Sequence, residues 1–331
     1  MLRIFHNTKY DFIRWWRVAI GLTVAFIALG FGSLAIKGVN YSIEFTGGTL
    51  KQLSFKTATD PARIRRAMDQ SGFADAEIQE FGSPRDFTLR FRGAEEVAAQ
   101  AAGAELVSKR VDSVLYSTFG RDNVSIVRTE AIGPRVGSEL RRNAIIAILL
   151  SFVITLIYLA IRFEWRFGLA AVIATGHDIF TTLAFVKLMH LEVSLTVVAA
   201  LLTVIGYSLN DTIIIFDRVR EDLRKGRKEP LYDTLNTAIN ETLPRSILTH
   251  ATTTAATLAL LLFAGEVIRP FAWVMLFGIV TGTFSSIYIA GPVLLWIERK
   301  YPRTISATAW KGSSTATPTS PTKRSPATAT R

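Results

Sequence analysis

Long stretches without a single charge decide what this chain can become. Ile145–Ile161 and Leu195–Gly206 contain no Asp, Glu, Lys or Arg. About 20 apolar residues wound as a helix cross the ~30 Å of hydrocarbon in a bilayer. Six such spans are read: Val18–Ile36, Ala144–Ile161, Gly168–Met189, Leu195–Phe216, Ile247–Ala264 and Phe271–Ile297. With 49% hydrophobic and 20% charged residues, the bulk of the chain is neither a soluble enzyme nor a disordered segment. There is no cysteine, so disulfides, thiol nucleophiles and cysteine metal sites are excluded. Arg14 and Arg17 precede the first span as they would a signal peptide. Its apolar run exceeds the ~7–15 residues of such a signal and no small-residue cleavage site follows, so the span is read as retained.

Orientation follows from the Lys/Arg bias of the short loops and ends. Arg3, Lys9, Arg14 and Arg17 precede the first span, Arg162 and Arg166 follow the second, and Arg218, Arg220, Arg224, Lys225, Arg227 and Lys228 follow the fourth. On the other side, His190–Ser194 has no Lys or Arg and Gly265–Pro270 has only Arg269. Lys187 can snorkel outward from its span. Both termini are therefore expected in the cytoplasm. The predicted organisation is a cytoplasmic N-terminus (1–17), a first span (18–36), an extracytoplasmic domain with its junctions (37–143), five further spans (144–297) and a basic cytoplasmic tail (298–331).

That tail explains most of the net charge of +11, since Arg299–Arg331 holds seven Lys/Arg and no acid. From Arg303 onward it is rich in Ser, Thr, Pro and Ala and is expected to be disordered. Its charge suits anionic head groups or ribosomal RNA, but a solvated tail without a partner is the plainer reading, and no nucleic-acid partner is established.

The outer segment is patterned as a small α+β domain. Leu50–Phe55 and Phe87–Arg92 carry apolar/polar alternation, and Glu77–Phe81 and Asn123–Val127 are shorter strand candidates. Asp60 caps a helix with Pro61 in its first position, and Ile64, Ala67 and Met68 follow before Gly72. In Ala94–Phe119 the residues Val97, Ala101, Ala104, Val107, Val111, Val114 and Leu115 form an apolar stripe ended by Gly120. The order β-α-β-β-α-β predicts a ferredoxin-like antiparallel sheet with both helices on one face. This domain has no histidine, cysteine or phosphate cradle, which favours a protein-contacting or mobile domain over an enzyme.

Polar residues at membrane depth are the candidate functional groups. His177 and Asp178 lie in the middle of the third span, Asp178 about ten residues or ~15 Å in. An ionised carboxylate there costs ~2.5–3.5 kcal/mol on the lenient insertion scale, so it must be protonated, paired or facing water. A carboxyl that changes protonation state at working pH is what a proton relay needs. The alternative is a carboxyl locked by hydrogen bonds to a neighbouring helix. In the fourth span Asn210 is expected to bridge helices, and Asp211 to lie nearer the cytoplasmic head groups, where it can stay hydrated. Thr249, His250, Thr252 and Thr253 of the fifth span could complete a polar patch. Gly278 and Gly282 form a GxxxG pair in the sixth, followed by Ser285 and Ser286, which suits close helix packing. No HExxH, P-loop or GxSxG occurs.

Five motifs taken together, in order, carry a family resemblance. Glu44-Phe45-Thr46-Gly47-Gly48, Gly133-Pro134-Arg135-Val136-Gly137, Gly176-His177-Asp178, Ile205–Ile213 and Phe216–Glu221 resemble the SecF family, membrane proteins that work with SecD in bacterial Sec export. The family's usual D-F-x-G-G has Glu44 in its first position here, which keeps the carboxylate and lengthens its arm. The resemblance implies the six-span half of an RND-type permease, completed by SecD and associated with the SecYEG channel. It implies use of the proton gradient to draw an unfolded, translocating polypeptide outward, without a cofactor or an enzymatic reaction. It also implies Asp178 as the proton-relaying carboxylate, and the reading of polar residues at membrane depth adds His177, Asn210 and Asp211 to the candidate relay. Glu44, Phe45, Gly47, Gly48, Gly133 and Gly137 mark the junctions of the outer domain. Two other classes remain in view: half of an RND-type small-molecule exporter, and a passive assembly factor.

Overall fold

The structure is a computed structural model, and it describes residues 8–74, 76–91, 101–225, 230–265 and 267–302. The early part of the predicted Ala94–Phe119 helix, the tail from Arg303, and Arg3, Arg227 and Lys228 lie outside these residues.

After a 3-10 turn at Ile13–Trp15, α1 (Trp16–Lys37) leads to a one-turn α2 (Ile43–Thr46) that the sequence reading did not anticipate. The outer domain follows as β1 (Gly48–Phe55), α3 (Pro61–Gln70), β2 (Glu77–Phe81), β3 (Ser83–Phe91), α4 (Ala101–Phe119) and β4 (Val124–Ile132). The membrane half continues with α5 (Pro134–Arg162), α6 (Trp165–Leu188), α7 (Leu195–Arg224), α8 (Leu231–Phe263) and α9 (Arg269–Ser285). A π-helical turn at Ser286–Ala290 joins α9 to α10 (Gly291–Lys300). Among the described residues six helical segments are long and apolar enough to cross a membrane.

The sheet order is β2-β3-β1-β4 with every neighbouring pair antiparallel. This is the predicted ferredoxin-like arrangement. Asp60 caps α3 by accepting from the Ala62 amide at 2.8 Å, worth about 1 kcal/mol. Leu53, Ile64, Met68, Phe87, Leu89, Val111 and Leu115 are fully enclosed between sheet and helices. Removing the ring of Phe87 should cost roughly 3–5 kcal/mol, for lost burial plus the cavity left behind. Lys51 shares that face and is itself fully buried, with its ammonium 2.5 Å from Asp112 and 3.3 Å from Thr129.

Three helices begin or break where the sequence reading did not place them. The fifth helix, α5, starts at Pro134 rather than Ala144, because the charged stretch Arg135–Arg142 is helical outside the apolar run. The segment before Ile247 forms the first turns of α8, burying Leu235, Ala238 and Ile239 beneath the bundle. Ser285 and Ser286 sit at the entry to the π turn that breaks the sixth span. The outer helices α1 and α5 leave Leu22, Leu29, Leu149 and Ile157 exposed, a surface that suits hydrocarbon.

Candidate functional site

The site forms where α6, α7 and α9 meet, and its foundation is the close approach of two helices. A Cβ on Gly278 would lie 2.2 Å from Val204 Cγ2, and one on Gly282 would lie 3.0 Å from Ser208 Cβ. Only glycine lets α9 lie this close to α7, which brings Ser208 and Ser285 to the same carboxylate. Both hydroxyls donate to Asp178 Oδ2, Ser285 at 2.7 Å. His177 Nδ1 lies 3.1 Å from Asp178 Oδ1. Asp178 is 1% exposed, so three polar side chains take the place of water around it. His177 Nε2 is buried without a hydrogen-bond partner among the described residues.

A second acidic group lies one turn away. Asp211 follows Ser208 by three residues, about 4.5 Å along α7, and is 3% exposed. The expectation that it stays hydrated near the head groups is therefore corrected, because α8 covers it. His250 Nε2 is 3.0 Å from Asp211 Oδ2, and Ser246 donates to Oδ1 at 3.3 Å. The other ring nitrogen, His250 Nδ1, is 2.9 Å from Thr283 Oγ1, which also lies 2.9 Å from the carbonyl of Ile279. A hydroxyl has one hydrogen. When Thr283 gives it to Ile279, Nδ1 must donate to Thr283, and the Nε2–Asp211 contact then needs its own proton. The unit thus has two arrangements that differ by one proton and by the rotation of one hydroxyl.

Sequence reading singled out Asp178, His177, Asp211 and His250, which the fold gathers around α7. Asn210 does not join them. Its side chain is exposed on the same stripe of α7 as Thr203 and Gly206, because adjacent helical residues point about 100° apart. Ser208, Ser246 and Thr283 were missed, since a serine or threonine in a membrane helix usually bonds only its own backbone. Thr212 Oγ1 meets Ser286 Oγ at 2.8 Å, extending the polar contact into the π turn.

The junction residues converge at the other end of the bundle. Gly47 and Gly48 have φ of 77° and 128°, left-handed values that glycine accepts readily. Gly137 lies within α5 against the backbone of Phe45 and Gly47, whereas Gly133 has an ordinary φ of −67° and an open surrounding. Gly137 is thus a point of close packing and Gly133 an ordinary helix cap. Phe45 is buried among Ala144 and Val198. Glu44 Oε2 accepts the Leu195 amide at 2.5 Å. Val193 bonds Asn40 and Ser42 through its backbone at 2.8 and 3.0 Å, and Arg90 of β3 pairs with Glu192. The α6–α7 loop is therefore tied both to the junction and to the outer sheet.

Comparison with known proteins agrees with this architecture. Residues 112–300 match the family described as protein export membrane protein SecD/SecF, C-terminal, and residues 32–59 match the SecD/SecF GG motif. A protein translocase subunit SecF from Gemmatimonas aurantiaca is 66% identical over 92% of this chain and 91% of its own. One from Vibrio alginolyticus is 41% identical over 86% and 88%. The crystal structure of SecDF, a translocon-associated membrane protein from Thermus thermophilus, superposes with a TM-score of 0.78 at 34% identity over 88% of this chain. This chain spans 39% of that longer one. The chain belongs to the SecD/SecF family of protein-export membrane proteins.

Proposed function

We propose that this chain is the SecF half of a proton-driven accessory to the Sec translocase. It acts with a SecD partner beside the SecYEG channel to complete the export of an unfolded polypeptide across the cytoplasmic membrane. Both termini face the cytoplasm, as the Lys/Arg bias suggests. The observation that carries this reading is the enclosed Asp178, bound by Ser208 and Ser285 of two other helices and one turn from the Asp211–His250 pair. Buried ionisable groups within membrane helices are expensive and mark ion or proton pathways.

Protons would pass between the Asp211–His250 pair and the Asp178–His177 pair, with Ser208 between them. Each elementary charge crossing the full potential releases ~2.3 kcal/mol per 100 mV, enough to bias two conformations that differ by a few kcal/mol. The ties from the α6–α7 loop to the junction and to Arg90 offer a route from these helices to the outer domain. Asn210, with Thr203 and Gly206, lines a polar stripe on α7 that suits the SecD half rather than lipid.

Export of a preprotein into sealed vesicles, with and without a proton gradient, tests the reading. Asp178→Asn is nearly isosteric but cannot ionise. It should abolish the gradient-dependent part while leaving membrane insertion, SecD binding and the ATP-driven step intact. Normal gradient-dependent export in that variant would overturn the relay.

A further inference from the structure

A crevice opens between α1 and α5 at the outer-domain end of the bundle. The first span, α1, packs along α6, while α5 packs against α6 and α7. At the back of the crevice α1 and α6 touch so closely that a Cβ on Gly30 would lie 2.4 Å from Ala184 Cβ. The cavity left in front has a volume of about 270 Å³ and is lined by apolar side chains including Phe31, Leu34, Ile145, Ile148 and Leu183. It is roofed by the junction segment through Tyr41 and Phe45. Its lining has two charged residues, Arg141 and Lys187, both cationic, and no acid.

The cations occupy the end of the cavity where the spans meet the outer domain. The Arg141 guanidinium lies 5.9 Å from the Tyr41 ring centroid, and its side chain is exposed. Lys187 Nζ donates to the Gly38 carbonyl at 2.5 Å, which uses one of its three N–H groups. An apolar slot with two cations at its rim matches a molecule with a hydrocarbon chain and an anionic head.

The geometry points to a binding site for one anionic phospholipid, with an acyl chain in the α1–α5 crevice and its phosphate between Arg141 and Lys187. The bound chain fills the space beneath Tyr41 and Phe45, so the lipid forms part of the packing on which the outer-domain junction rests. The site depends on the membrane-spanning fold and not on the proton relay, so the two readings stand or fall separately.

Native mass spectrometry of the full chain in mild detergent, titrated with phosphatidylglycerol or phosphatidylcholine, tests it. One phosphatidylglycerol should be retained in preference to phosphatidylcholine. Each cation is worth about fivefold near an anionic head group, so Arg141→Gln with Lys187→Gln should weaken phosphatidylglycerol by roughly 25-fold. Ile148→Trp, which fills the slot and leaves the cations, should remove the preferred lipid. Equal retention of the two lipids, or unchanged phosphatidylglycerol binding in both variants, would overturn the site. So would its loss when the SecD partner is added, since the crevice would then be a protein interface.

Discussion

Glu44 Oε2 accepts a hydrogen bond from the Leu195 amide, 2.5 Å away. The carboxylate of the junction motif thereby caps the helix that carries Ser208 and Asp211, at the end where an anion is favoured by the helix dipole. Ser194 adds a second cap by accepting from the Val197 amide. Glu44→Ala should cost about 1 kcal/mol, the value of a lost cap, and lower the thermal midpoint of the full chain. Glu44→Asp, whose shorter arm must be followed by the backbone, should restore only part of it.

A methyl group on Gly137 would sit 2.7 Å from the Gly47 nitrogen and 3.2 Å from the Phe45 carbonyl carbon. Both neighbours are backbone and cannot swing aside. Gly137→Ala should destabilise by roughly 1–3 kcal/mol as overpacking does and impair export. Gly133→Ala, at an ordinary φ of −67° with open space around it, should be close to neutral in both assays.

Asp211→Asn should lose gradient-dependent export as completely as Asp178→Asn does. Asp211 is enclosed and paired with His250, so the amide removes a proton-holding group and strands the imidazole. Vesicle export at fixed ATP, with the gradient imposed or collapsed, is the measurement. A partial effect for Asp211→Asn beside a full effect for Asp178→Asn would show that one carboxyl suffices.

Thr283 holds His250 through Nδ1 at 2.9 Å. Thr283→Val keeps the shape and removes the acceptor, so the pH profile of gradient-driven export should change its midpoint. Thr283→Ser should restore the parent profile. Thr281→Val, whose hydroxyl bonds within its own helix, should leave the profile unchanged.

In the outer domain, hydrogen bonds from Ser54 and Ser83, with Arg85 nearby, hold the Asp86 carboxyl below its usual value. A depressed folded value means that the carboxylate stabilises the domain above the unfolded pKa of about 3.9. That contribution is lost as pH falls through the folded value. Scanning calorimetry of the full chain should show a smaller acid-side loss for Asp86→Asn than for the parent.

The six spans and the strand order were legible because both rest on local pattern: charge-free length in one case, alternation and capping in the other. Asp178 was legible because a lone acid amid apolar residues is conspicuous wherever the helix turns. Its ligands were not, because Ser208 and Ser285 reach it only through a helix approach set by Gly278 and Gly282, a pairing no local pattern encodes. Asp211 was assigned a wet position for a related reason. His250 was already read into the polar patch of the fifth span, but that it and Ser246 close over Asp211 follows only from how α8 packs on α7. Asn210 stands apart from the two carboxyls because neighbouring helical residues point about 100° apart, so next to the buried Asp211 it lies on the exposed side of α7.

The π turn at Ser286–Ala290 holds one residue more than a continuous α-helix would need at that height. Passing that surplus residue toward either end would turn the segment beyond it by about 100° without breaking the span. Because Ser285 and Ser286 stand at its entrance, bound to Asp178 and Thr212, a rearrangement at the carboxylate has a swivel at hand. A rotation of α10 about this turn would leave α9, and with it Gly278 and Gly282 against α7, in place.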